Sequence, residues 1–201
     1  MKRTLLLLAV VVCSAFLVPK QPTVREDRSL LLSELKNTKE NLLKTVQGLS
    51  DAQLQYKPAP DRWSVIECVE HITLIERFFR EAEQSMIKEP ANPDKKKDVK
   101  VTDDFIVKSV EDRSHKRQAP EFGQPKNTFG SPSATIAAFS AQRDSLIDYV
   151  TNTTDDMRNH LTDKSPFGTI DAYQLLLLDA AHTARHTKQM QEVKADSGFP
   201  K

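Results

Sequence analysis

Between Leu175 and Val193 the residues Leu175, Leu178, His182, His186, Gln189 and Val193 recur three and four apart. That rhythm belongs to an α-helix with one face turned to a core. Two histidines sit on this stripe, spaced i, i+4, so their rings leave the same face one turn apart. An unpaired polar group on a buried face costs on the order of 1–3 kcal/mol, so both imidazoles need partners. A shared metal ion satisfies both at once, and His71, on another helix, offers a third nitrogen. The competing reading is a set of hydrogen-bonded core histidines with no metal.

The same periodicity runs through most of the chain. With only five glycines and three tyrosines in 201 residues, it predicts an all-α protein with one domain of real core or at most two small ones. A first helix is expected from about Glu26 to Gly48, burying Leu31, Leu35, Leu42, Val46 and Leu49. Gln55 to Arg62 holds Pro58 and Pro60 and reads as an irregular link. The second helix opens on Ser64 and Glu67, a capping-box pair, with Trp63 placed to staple against Cys68. It carries Val65, Val69, Ile72, Ile75, Phe79 and Met86 inward and stops near Glu89-Pro90.

Ala91 to Ser131 is charged and proline-bearing, with one short amphipathic piece from Asp103 to Val110. A third helix should run from Pro132-Ser133 to about Thr151, burying Ile136, Phe139, Leu146 and Val150. After a loop with Pro166 and Gly168, a fourth runs from Thr169 or Ile170 to about Ala195. The architecture is a four-helix bundle with a long crossover between its second and third helices.

Residues 1–15 read as a signal peptide, with a boundary that could extend to about residue 22. Met1-Lys2-Arg3-Thr4 is basic, and Leu5 to Val18 is an apolar run of fourteen residues, short of the ~20 a membrane span needs. Cleavage after Ala15 is expected. Lipid attachment at Cys13 and an uncleaved anchor are the alternatives. The domain, residues 26–196, is then periplasmic or extracellular. It retains one cysteine, Cys68, which excludes an internal disulfide framework. A net charge of +1 suggests neither nucleic acid nor an anionic membrane as partner. Phosphate loops, CxxC pairs and repeats are absent, and nothing in the sequence excludes a homodimer.

Leu54 to Pro58, Trp63 to Glu67, and Glu70-His71-Ile72, taken with His182, His186 and Gln189, resemble the DinB-like superfamily of bacterial four-helix bundles. The similarity spans about Ser29 to Val193. It implies that His71, His182 and His186 form a three-histidine site for a divalent metal, zinc or nickel. It also implies a metal-dependent reaction on a small molecule, whether hydrolysis or thiol S-transfer. A fold alone does not choose the reaction, and a non-catalytic metal or ligand module is a further alternative. The export signal counts against thiol transfer, because low-molecular-weight thiols belong mainly to the cytoplasm.

The remaining candidates have simpler explanations. Glu67 is a helix cap, Glu70 a solvated or supporting group, and Cys68 a small apolar residue. Arg185 is expected in solvent, Gln189 as a group that orients a ligand, and His115 and His160 exposed and without a role.

Overall fold

The structure is a computed structural model that describes residues 28–201; the expected signal peptide and the residues around Glu26 lie outside that range. Four long helices make an all-α bundle: α1 (Ser29–Val46), α3 (Val65–Lys88), α5 (Pro132–Asn152) and α6 (Ala172–Lys194). Helix α6 packs against both α1 and α3, and α5 packs against α3 and α1. The long crossover between α3 and α5 is present and carries α4 (Asp103–Glu111). Among the described residues no helix is long and apolar enough to cross a membrane.

Local chemistry explains where α3 begins. Ser64 Oγ accepts from the Glu67 amide at 3.2 Å, and the Glu67 carboxylate accepts from the Ser64 amide at 2.8 Å. Two of the helix's unpaired amino-terminal donors are thereby satisfied. Ser64→Ala should cost roughly 0.5–2 kcal/mol in a urea melt. Metal content should stay unchanged, since the histidines lie further along. A fully stable Ser64→Ala protein would show that the box contributes nothing.

Four expectations need correction. The segment after α1 contains a further helix, α2 (Asp51–Gln55), under a Ser50/Gln53 capping box. The same serine-to-glutamine signature was present in the sequence, but Pro58 and Pro60 drew the reading toward a loop. The loop before the last helix is instead a hairpin, β1 (Leu161–Ser165) and β2 (Gly168–Asp171), paired antiparallel. Gly168 turns it with φ +77°, a conformation that favours glycine. Helix α6 therefore starts later than expected, at Ala172, where Asp171 and Gln174 form its capping box. Leu49, Phe79, Met86 and Ile136 are half-buried, whereas Phe139, Leu146 and Val150 are buried as expected.

Among the described residues the core has three apolar regions; one gathers Ile106, Val110, Ile170, Leu175 and Leu178 around α4, and two fill the four-helix bundle. One joins Leu31, Leu35, Leu146, Val150, Tyr173, Leu176 and Ala180. The other joins Leu42, Val65, Cys68, Val69, Ile72, Phe139 and Met190. Between them in the sequence of each helix lies a buried polar layer. Arg143 is fully buried; it donates from Nε to Glu76 at 2.7 Å, from Nη1 to Thr38 at 2.9 Å and from Nη2 to Thr183 at 2.8 Å. Asp179 stands 3.6 Å away, and neither of its oxygens has a hydrogen-bond partner. Burial, with Glu76 adding repulsion and Arg143 opposing both, pushes the Asp179 carboxyl well up from its ordinary value.

Candidate metal centre

Helices α3 and α6 bring the three predicted histidines to one point. Their ligand atoms lie within 4.8 Å of one another. His182 Nε2 is 3.1 Å from His71 Nε2 and 3.1 Å from His186 Nε2. The i, i+4 spacing on α6 accounts for the His182/His186 approach, and the packing of α3 on α6 supplies the third ring.

The outer nitrogens fix the tautomers. His71 Nδ1 donates to the Gly123 carbonyl at 2.7 Å, and a carbonyl only accepts, so His71 Nε2 carries a lone pair. His186 Nδ1 faces Gln189 Oε1 at 2.9 Å, which leaves its Nε2 as a lone pair as well. Hydrogen bonding alone therefore fails to explain the cluster. One proton on His182 Nε2 is all that can be shared among three converging nitrogens, and His182 Nδ1 is buried with no partner. A divalent cation about 2.0–2.1 Å from each nitrogen would hold tetrahedral ligands about 3.3 Å apart, close to the spacing seen. The donor set fits such an ion and leaves room for a further ligand.

Electrostatics keep the donors available. Burial lowers the pKa of His71, the Gly123 bond opposing it in part. His182 is pushed well down, by burial first and then by His186 and His71. Burial, with His71 adding to it, lowers His186 to about 3. All three rings are thus neutral at pH 7, as metal ligands must be.

The same shifts set a stability prediction. An unfolded histidine takes a proton near pH 6.5, and folded His186 refuses it until about 3. The unfolded state then binds more protons, so stability is complete above pH 6.5 and falls as acid is added. Chelator-treated protein should lose about 2 kcal/mol from His186 alone between pH 7 and pH 5. Urea melts check this, and His186→Gln should flatten the slope. An identical slope in that variant would refute the assignment.

The crossover backs the site in a way the sequence did not disclose. Glu70 is buried rather than solvated. Its carboxylate accepts from the backbone amides of Lys126, Asn127 and Thr128 at 2.9, 3.1 and 2.8 Å. Those bonds outweigh desolvation and lower its pKa. The loop they fasten carries Gly123, whose carbonyl orients His71. A Cβ on Gly123 would stand 2.7 Å from Ile75 Cδ1 and 3.3 Å from His71 Nδ1, so an added methyl group would have to displace the Ile75 side chain and press on the His71 ring.

Other side chains also move from their expected places. Arg185 is buried, not solvated, and donates to the carbonyls of Val110, Asp112 and His115. His160 is half-buried and pairs through Nδ1 with the Met86 carbonyl, while His115 is exposed as expected. Cys68 lies in the apolar cluster, outside the three-nitrogen group, and burial raises its thiol pKa. Trp63 packs on that cluster, and its ring also lies 4.7 Å from that of His71 and 5.9 Å from that of His186. A cleft of about 1020 Å³ opens on the three histidines.

Comparison with known proteins agrees with this fold. The chain is 26% identical over 149 residues to the uncharacterised protein YuaE of Bacillus subtilis (strain 168), covering 74% of this chain and 88% of that one. Its fold is similar to that of YfiT from Bacillus subtilis, with a TM-score of 0.57 at 15% identity over 90% of this chain and 94% of the other. YfiT is described as a probable metal-dependent hydrolase with an unusual four-helix bundle topology. The family model of the DinB superfamily matches residues 34–190, most of the four-helix bundle and all three histidines, and the chain belongs to that superfamily.

Proposed function

We propose that this protein is an exported, metal-dependent hydrolase whose ion is held by Nε2 of His71, His182 and His186. The observation that carries the reading is the convergence of three neutral imidazole lone pairs at the floor of a large cleft. A divalent cation, zinc or nickel, would supply Lewis acidity there and lower the pKa of water toward about 7. Three protein ligands leave a coordination position open, which separates catalytic from closed structural sites. The description of YfiT supports hydrolysis over other metal-dependent reactions.

The chain's own residues do the rest. Gly123 and Gln189 hold His71 and His186 in the tautomer that points a lone pair into the cleft. Trp63 covers one side of the cluster and limits water there. Export rests on the basic start and the fourteen-residue apolar run, and amino-terminal sequencing of fractionated cells tests it. A soluble cytoplasmic chain beginning at Met1 would overturn it.

Metal analysis of untagged protein, followed by a hydrolase substrate screen with and without chelator, tests the function. Turnover that chelator abolishes and zinc or nickel restores is the expected result. Bound metal with no chelator-sensitive turnover would make the protein a binding module instead.

A further inference from the structure

The cleft is much larger than a water nucleophile requires. Its volume of about 1020 Å³ lies at the top of the ~300–1,000 Å³ range of small-molecule sites, and its lining is graded along its length. On α3 the wall is Ile75, Phe78, Phe79, Ala82 and Met86, a three-and-four stripe of the kind a bundle helix normally buries. Leu175 and Leu178 of α6 also line the cleft. Phe78 is 46% exposed and its ring lies 4.8 Å from that of Phe122, which is 53% exposed, so an aromatic pair stands open at the lip. From His71 to Met86 the groove follows α3 for four turns, about 22 Å.

Positive charge gathers at the histidine end. Arg185, which lies between His182 and His186 on α6, donates to the His115 carbonyl, and the next residues, Lys116 and Arg117, line the same cleft. Arg62 also lines it and precedes Trp63, whose ring packs on His71. Among the described residues Lys116 and Arg117 make no ion pair, and Asp61 is the one carboxylate lining this end. The far end, by contrast, carries one charge of each sign, Lys164 and Glu89.

We propose that the cleft binds an acyl-type amphiphile. Its anionic head lies at Arg62, Lys116 and Arg117 beside the three histidines, and its linear alkyl chain runs along α3 toward Met86. The inference rests on the metal-dependent hydrolase reading only in taking the ligand to be a substrate, since binding of such a ligand requires no ion.

Calorimetric titration of the chelator-treated protein with n-alkyl carboxylates of increasing length tests the proposal. Affinity should rise about fourfold per added methylene until the groove is filled. Alkylammonium ions of equal length should bind more weakly. Lys116→Glu with Arg117→Glu, both exposed positions, should weaken carboxylates and leave the matching alkyl alcohols unchanged. Ala82→Trp should cap the chain length accepted without affecting the shortest ligands. An affinity flat with chain length, or equal binding of carboxylate and ammonium, would overturn the proposal. A parallel zinc titration separates the two readings: a chain-length series intact without zinc binding sinks the metal site alone, and zinc binding with no series sinks the amphiphile alone.

Discussion

His186→Ala should bring the metal content of the purified protein from about one divalent ion per chain to near zero. His71→Ala and His182→Ala should do the same, because each removes one of three ligand nitrogens and, among the described residues, no other histidine, cysteine or carboxylate joins the cluster. A useful contrast comes from Gln189→Ala. That residue touches His186 Nδ1 but not the ion's position, so its loss should weaken metal affinity only about 10–100-fold. Competition titration with a zinc chelator measures both effects. Unchanged affinity in any of the three alanine variants would refute the three-nitrogen site.

The second large effect concerns the polar layer. Arg143→Met should destabilise the protein by about 3–5 kcal/mol, because it leaves Glu76 buried without its counter-charge. That is a large fraction of the ~5–15 kcal/mol that holds a typical domain together, so the variant should unfold at much lower urea. Adding Glu76→Leu to Arg143→Met should recover part of the loss, since it removes the stranded charge. A double variant no better than the single one would mean that lost packing, not uncompensated charge, sets the cost. The metal histidines lie outside this layer, so whatever fraction of Arg143→Met folds should still bind its ion.

What the sequence disclosed follows a physical boundary. Periodicity and caps act within a few residues, and they located the long helices, the Ser64 box and the i, i+4 histidine pair. Burial of the α3 and α6 stripes follows from the same local pattern. Glu70 shows where such reasoning stops. Its partners are amides 56–58 residues away, and no local spacing marks a carboxylate that will fasten a distant loop. Arg185 failed for the same reason, because its carbonyl partners lie 70–75 residues back along the crossover. Arg143 looks like any surface arginine until four helices close around it. The hairpin at 161–171 was missed differently: its strands are too short to show an alternating pattern, and Pro166 and Gly168 read equally well as a loop.

Gly123 carries one more consequence. The crossover meets His71 through a backbone carbonyl and is fastened by Glu70 through three backbone amides and the Thr128 side chain, so the residues that hold the ring in place lie at 123–128. The side chains of His115, Lys116, Arg117 and Gln118, which line the cleft, are therefore free to change in charge and size while the ring of His71 stays put. Such a chain can drift in what it accepts without drifting in how it reacts, provided one position never acquires a side chain. The missing methyl group at residue 123 separates the two, and a family of differing specificities could be drawn from this scaffold by rewriting a single loop.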